Sequence, residues 1–401
     1  MIIESVIIII DLLLWIIIAA NVMYVFFFAL ASLLPKRSRS PFTFPPSPFT
    51  YLVLFPAYNE DTVILNSVKN FLQQNYPKEN YQVIVISDHM NSETNEALSQ
   101  LPITLLQPTF KQSSKAKALQ SAINQFHDPS FTFQVPDFVV ILDADNVVDN
   151  DFLTQLNQIA NPKIAIQCHR TAKNANNDIA ALDGLSEEIN NSIFRKGHNR
   201  IGMSSALIGS GMCFNYDWFK ENVSKLDSAV EDRELEALLM KQNVYIHYAE
   251  DIHVLDEKVS NTDNFQRQRL RWMTGQVQAF LRMLPYVPKA IITGNINYID
   301  KTIQQTLIPR SILLVLTPLF ALLSLLTYSL FPFPSSLFPL KWWIMMIIMI
   351  ATILVAIPAP LRTSALFCKI ATLPKLVWKM IVNILKIDHK NTTFIHTTHN
   401  K

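Results

Sequence analysis

The chain has 401 residues, with 34 Lys and Arg against 32 Asp and Glu, for a net charge of +2. That balance alone says little about partners, although no nucleic-acid partner is expected. Half of the residues are hydrophobic and unevenly distributed, and the three cysteines, Cys168, Cys213 and Cys368, are far apart. This excludes a disulfide framework or a zinc-ligand pattern and suits a reducing compartment.

In chain order, the first feature is a run without charged side chains, Leu12 to Leu34, matched later by Ser311 to Leu330 and Trp342 to Leu361. Each is close to the ~20 apolar residues that a membrane-spanning helix needs. Ala29-Leu30-Ala31 looks like a signal-peptidase site. However, Glu4 and Asp11 rather than basic residues precede the first run, and it is too long for a signal h-region, so an uncleaved anchor is expected. Lys36, Arg37 and Arg39 follow the first run, and Arg362, Lys369, Lys375, Lys379, Lys386 and Lys390 follow the third. The link between the second and third carries only Lys341. The positive-inside rule then makes the middle of the chain and the tail cytoplasmic. A multi-pass protein of the cell (inner) membrane is expected.

Residues 36–50 are proline-rich and form a stiff linker. From Tyr51 strands and helices alternate. "YLVLFP" reads as a strand, Asp61 to Gln74 as a helix, "QVIVIS" as a strand, Glu93 to Leu101 as a helix and "ITLLQ" as a strand. Ser114 to Phe126 follows as a helix, "DFVVIL" as the fourth strand, Asp151 to Ile159 as a helix and "KIAIQC" as a strand. Alternation of this kind predicts a mostly parallel α/β sheet with helices on both faces, and continuous apolar strands suit such a buried sheet.

Ligands of parallel sheets bind beyond the carboxyl ends of the strands. The first strand ends in "PAYNE", the second at Asp88, and the fourth at Asp143 and Asp145. Residues i and i+2 of an extended chain point the same way, so Asp143 and Asp145 can face one ligand. Two hard carboxylates favour Mg2+ or Mn2+ shared with substrate phosphates. The chain has seven glycines and neither a G-x-G-x-x-G nor a Walker loop, which weighs against dinucleotide binding and P-loop hydrolysis. "ILDADNVV" also fits the nucleophile strand of haloacid-dehalogenase-like phosphatases. That motif belongs on a first strand and leaves "PAYNE" and Asp88 unexplained.

Taken together these segments resemble glycosyltransferase family 2, in its membrane-bound branch of cellulose, hyaluronan and poly-N-acetylglucosamine synthases. "PAYNE" resembles the family's opening, "ISDHMNSETNEAL" its second-strand acidic turn, "SKAKAL" its lysine-bearing helix start, and "DADN" its D-x-D. "GSGMCF" resembles the acceptor-side glycine segment, "VEDREL" the segment ending in the catalytic base, and "QRLRW" matches Q-x-x-R-W. The resemblance runs from Tyr51 to Trp272. It implies a GT-A fold and inverting transfer from a nucleotide-diphospho-sugar. Tyr58, Glu60 and Asp88 would contact the nucleoside, and Lys115 falls at the lysine of the motif, on the nucleotide-sugar side. Asp143 would face the ribose and phosphate, and Asp145 the metal, Mn2+ or Mg2+.

Several of these residues also have plainer readings. Inverting transfer needs a carboxylate to take the acceptor proton, and Asp232 is the candidate. Ser228 to Glu231 equally fits a capping box, with Glu231 capping and Asp232 reacting. Val230 stands where the family has Thr or Gly. Gln268 and Trp272 share a helix face, as acceptor contacts, and Arg271 can grip a diphosphate. The alternative is an interfacial helix with Arg267, Arg269 and Arg271 on lipid head groups. Gly209, Ser210 and Gly211 suit a close backbone approach to the acceptor or an ordinary turn. His169, Arg170, His396 and His399 receive no catalytic role. Leu373 to Ile387 reads as an amphipathic helix on anionic lipid.

The expected organisation is an anchor (1–35), the linker (36–50), a cytoplasmic GT-A catalytic domain (51–263), interfacial helices (264–305), two spans (306–362) and a basic tail (363–401). The expected function is transfer of a sugar from a nucleotide-diphospho-sugar donor to a saccharide or lipid-linked acceptor, for surface polysaccharide synthesis. An inactive nucleotide-sugar-binding scaffold is the alternative from another class, and a transporter is disfavoured by the few spans. Three spans are few for a polysaccharide channel, so single transfer to a lipid-linked sugar, or an oligomer or synthase partner, remains open.

Overall fold

The computed structural model describes residues 2–36, 48–125, 134–174, 177–228, 230–258, 262–330 and 337–363. The linker between 37 and 47, the tail helix expected over 373–387, and His396 and His399 lie outside the described residues.

A long apolar helix, α1 (Ile2–Ala31), precedes the sheet domain. There follow β1 (Tyr51–Tyr58), α2 (Ile64–Phe71), β2 (Tyr81–Asp88), α3 (Ser92–Ser99), β3 (Thr104–Leu106), α4 (Lys115–Gln125) and β4 (Phe138–Ile141). Next come β5 (Val147–Val148), α5 (Phe152–Ile159), β6 (Ile164–Ala172) and α6 (Asp178–Asn190), which runs on through a π-helical segment, Asn191–Gly197, into α7 (His198–Arg200). The domain closes with β7 (Met212–Asn215), α8 (Tyr216–Val223), α9 (Glu231–Lys241) and β8 (Tyr245–Asp256). Helices α10 (Thr262–Met283), α11 (Val287–Ile292), α12 (Ile296–Gln304), α13 (Arg310–Leu330) and α14 (Leu337–Ala356) complete the order.

The strands expected from sequence are present, and the helix expected over 61–74 is shorter, because a turn at Glu60 occupies its first residues. The sheet has eight strands in the order β3-β2-β1-β4-β7-β6-β8-β5. β1 pairs in parallel with β2 and β4, β2 with β3, and β6 with β8. β7 lies antiparallel between β4 and β6, and β5 antiparallel to β8. One reversed strand therefore divides two parallel groups. Its direction also sets the site: the start of β7 and the carboxyl ends of β1, β2, β4, β6 and β8 all meet one sheet edge.

Alternation along the strands sends Val53 and Phe55 to one buried face and Leu52 and Leu54 to the other. Helices cover both faces, so each strand can be apolar throughout.

Three helices are long and apolar enough to cross a membrane, over Ser5–Ala31, Arg310–Ser329 and Pro339–Ala356. Lys341 pairs with Asp11, and the Trp342 indole N–H donates to the same carboxylate at 2.7 Å, which ties α14 to α1. A second tie joins α1 to α12 and to the sheet domain. Tyr24 donates its hydroxyl to Asp300 at 2.6 Å, and Phe28 stacks on the buried His198 ring at 3.5 Å.

Candidate active site

β1 and β2 run in register, so that Tyr58 pairs with Asp88 at the sheet edge. The chain leaves both strands through left-handed residues, Asn59 at φ 53° and His89 at φ 58°, a region that Asn and His enter more readily than branched residues. The Asn59 N–H donates to the Asp88 carbonyl at 3.2 Å. Asp88 is buried, with its carboxylate 2.6 Å from His89 Nδ1. The His89 ring lies 5.3 Å from that of Tyr58. Sequence reading found Tyr58 and Asp88 but not His89, whose only signal was its place directly after the strand.

After β4 the chain turns through Asp143-Ala144-Asp145-Asn146. The buried Asn146 pins this turn. Its Oδ1 accepts from the Asp143 N–H at 2.9 Å and from the Ser210 hydroxyl. Its Nδ2 donates to Asp145 at 3.2 Å and to Asp256 at 3.3 Å. Asp145 also accepts from the Glu257 N–H at 2.9 Å.

A frame of cations surrounds these acids. Lys115, the first residue of α4, pairs with Asp143, donates to the Gly209 carbonyl at 2.6 Å and lies 3.4 Å from Glu231. Arg170, near the end of β6, stands 3.9 Å from Asp143 and 3.8 Å from Asp256, and donates to Glu187 at 2.7 Å. Lys258 closes the ring, pairing with Glu187 and with Asp256 at 2.6 Å. Burial alone would lower the Lys115 pKa, but the charges of Asp143 and Glu231 outweigh it and raise it. Asp145 differs. Among the described residues it has no basic partner, and burial, then the charges of Asp256 and Asp143, push its carboxyl well above the usual carboxylate range.

The capping box expected at Ser228 does not form. The Ser228 hydroxyl accepts from the Val230 N–H at 3.3 Å. Glu234 is the side chain that reaches back, accepting from the N–H groups of Asp227 at 3.0 Å and Ser228 at 3.1 Å. Glu231 is instead buried beside Lys115, where an ammonium partner offsets its desolvation. Asp232 is half-buried and accepts from the Arg233 N–H at 2.8 Å.

Gly209 has φ 85°, and a Cβ added there would lie 3.8 Å from the carboxylates of both Asp232 and Glu231. Ser210 is buried against Asn146, and Gly211 packs on Val254 and Cys168. These two residues therefore shape the turn under the site rather than its surface.

On α10, Arg269 pairs with Asp183, and its guanidinium lies 4.6 Å from the Trp272 ring centre. The Gln268 amide oxygen is buried without a hydrogen-bond partner among the described residues. Except for Ser210 and Gly211, every site residue expected from sequence lines one cavity of about 490 Å³.

Family profiles match most of this chain. The profile described as Glycosyl transferase family group 2 matches residues 138–358, and that of Glycosyl transferase family 2 matches residues 52–221. The chain belongs to glycosyl transferase family group 2. It is a glycosyltransferase with a GT-A-like fold. Among solved structures it is similar to the mannosyltransferase PcManGT from Pyrobaculum calidifontis in complex with GDP-Man and Mn2+. That likeness has 16% identity and a TM-score of 0.50, covering 84% of this chain and 94% of that one. S. aureus TarS 1–349 in complex with UDP shares 16% identity at a TM-score of 0.38, over 59% of this chain and 65% of that one. A search of curated proteins finds no significant match.

Sequence reading of this glycosyltransferase gave Arg170 no catalytic role and passed over Glu187 and Lys258, all of which also line the cavity. Glu187 sits within α6, and nothing in its spacing linked it to β6 or β8. Among the described residues no three His, Cys, Asp or Glu side chains group to hold a metal; Asp145, which lines the cavity, is a carboxylate that could share a cation with oxygens of a bound phosphate.

Proposed function

We propose that this glycosyltransferase moves a sugar from a nucleotide-diphospho-sugar to an acceptor hydroxyl with inversion at the anomeric carbon. The observation that supports this best is the shared cavity: Asp232 faces it beside Gly209, and Asp88, Lys115, Asp143 and Asp145 face it from the strand ends. PcManGT, similar in fold, is in complex with GDP-Man and Mn2+, which fits a donor of this kind.

Tyr58, Glu60 and Asp88 hold the nucleoside where β1 and β2 end. Lys115 and Asp143 lie on the phosphate side, and Arg271 faces the leaving diphosphate. Asp145 would hold Mn2+ or Mg2+ together with the donor phosphates, and the cation supplies charge neutralisation for the departing diphosphate. Asp232 takes the acceptor proton as the hydroxyl oxygen attacks the anomeric carbon and the bond to the diphosphate breaks. Gln268 and Trp272 border the acceptor side, and Gly209 lets the backbone come close to it. The half-burial of Asp232 keeps its carboxylate accessible to an acceptor. Glu231 cannot substitute for it, being taken up by Lys115. The membrane spans and the Q-x-x-R-W helix favour an acceptor delivered at the membrane surface for surface glycan synthesis.

The test is Asp232→Asn. Transfer should fall by a factor of ~10²–10⁴, the usual worth of a general base, while nucleotide binding by calorimetry is retained. The wild-type product should carry the anomeric configuration opposite to the donor's by NMR. Full transfer in Asp232→Asn, or retained configuration, would remove this assignment.

A further inference from the structure

Three arginines meet where the cavity leaves the catalytic acids and passes toward the membrane helices. Arg195 comes from the π-helical segment, Arg269 from α10, and Arg310 from the first turn of α13, and all three line the cavity. Arg269 and Arg195 are both close enough to Arg310 to act on it electrostatically. Of the three, Arg269 alone has a carboxylate partner among the described residues, Asp183. Arg310 donates to the Ser186 carbonyl at 2.9 Å, and its other terminal nitrogen is buried without a partner among the described residues. Arg195 is 4% exposed, donates to the Asn191 side chain at 2.8 Å, and likewise leaves its Nε buried and unpartnered. Glu187, the acid that acts most strongly on Arg195, is held by Arg170 and Lys258. Two buried guanidiniums without an ion-pair partner among the described residues are costly unless an anion joins them.

The cavity wall beyond the arginines is apolar and belongs mostly to the membrane helices: Val25 of α1, Leu314 of α13, Ile353 of α14 and Ile357 just after it, with Leu185 of α6 beside them. A free anion would use the guanidiniums and leave this wall uncovered. An anionic lipid would use both.

We propose that a membrane lipid with a phosphate in its head group binds here, its phosphate between Arg195 and Arg310 and its chains along α1, α13 and α14. The cavity continues from this point to Asp232, so the head group beyond the phosphate faces the acceptor side. That last relation rests on the transferase reading above; the lipid binding does not.

The experiment uses the full chain in neutral detergent. It measures equilibrium binding of phosphatidylglycerol, phosphatidylcholine and inorganic phosphate, with nucleotide binding followed on the same samples. Phosphatidylglycerol should bind about tenfold or more tighter than phosphatidylcholine, the scale of one charge-assisted contact. Arg195→Gln and Arg310→Gln should each erase that preference. Leu314→Trp, which fills the apolar wall without touching charge, should weaken phosphatidylglycerol binding while nucleotide binding stays unchanged.

Three results would overturn the proposal: equal binding of both lipids, an unchanged preference in the Arg195→Gln/Arg310→Gln double variant, or displacement of the lipid by inorganic phosphate at equal concentration. Lipid binding that persists in a protein that releases no nucleotide diphosphate would fault the transferase reading alone.

Discussion

The ammonium of Lys115 lies 3.4 Å from Glu231, so the start of α4 is fastened to the start of α9 across the site. Adjacent acids are thereby divided, Glu231 to this pair and Asp232 to the cavity. Both partners of the pair are mostly buried, so breaking it strands a charge. Lys115→Met should destabilise the protein by about 3–5 kcal/mol, the usual cost of breaking a buried pair. It should also weaken donor binding. Lys115→Met combined with Glu231→Gln should recover part of the stability, because the stranded carboxylate is gone. Thermal unfolding of both variants in detergent checks this; equal loss in the two would mean that the pair has no such role.

The approach of α10 to α9 depends on a glycine. A Cβ on Gly275 would lie 2.4 Å from a Val230 methyl, one residue before the acid pair. Gly275→Ala should cost about 1–3 kcal/mol by overpacking and lower transfer by moving the Q-x-x-R-W helix. Adding Val230→Ala should restore much of both. Activity of the single and double variants, assayed side by side, measures the recovery.

Asp145 has no basic partner among the described residues, and like charges surround it. Asp145→Asn should abolish stimulation of donor binding by Mn2+ or Mg2+. Nucleotide binding without metal should be unchanged, since burial and the neighbouring acids already disfavour the charged form of this carboxyl. Titrations with and without EDTA distinguish this from general misfolding, which would weaken both.

His169 lies 3.1 Å from both Glu188 carboxylate oxygens. Burial alone would lower its pKa, but the hydrogen bond and charge of Glu188 outweigh it and raise it. A raised folded pKa means that the native state binds more protons. The pair therefore contributes fully below the ordinary histidine pKa of about 6.5, and the contribution fades as pH rises through the folded value. His169→Gln should be less stable than wild type by about 1–2 kcal/mol at pH 6, within the range for a charged hydrogen bond. The gap should narrow at alkaline pH. Unfolding curves for both proteins across pH test the sign.

Much of the fold could be read from local pattern. Continuous apolar strands with acids at their ends predicted β1, β2 and β4 and the edge they share, because burial and strand polarity act over a few residues. The reversal of β7 could not be read so, since "GMCFN" carries no mark of direction; pairing with β4 and β6 decides it. The joint role of Arg170, Glu187 and Lys258 was illegible for a related reason. Each is unremarkable in its own segment and gains meaning only when α6 is laid across the ends of β6 and β8. Glu231 was misread as a cap because the pattern Ser-x-x-Glu is local, while its actual partner, Lys115, is distant in sequence.

The decisive measurement is nucleotide diphosphate release by the purified full-length protein in membrane lipid, over a panel of UDP- and GDP-sugars, with Mn2+ and with EDTA. Release from one donor, dependent on metal and lost in Asp232→Asn, is the expected result. Binding of a nucleotide sugar with no release from any donor, even with acceptor lipids supplied, would contradict it.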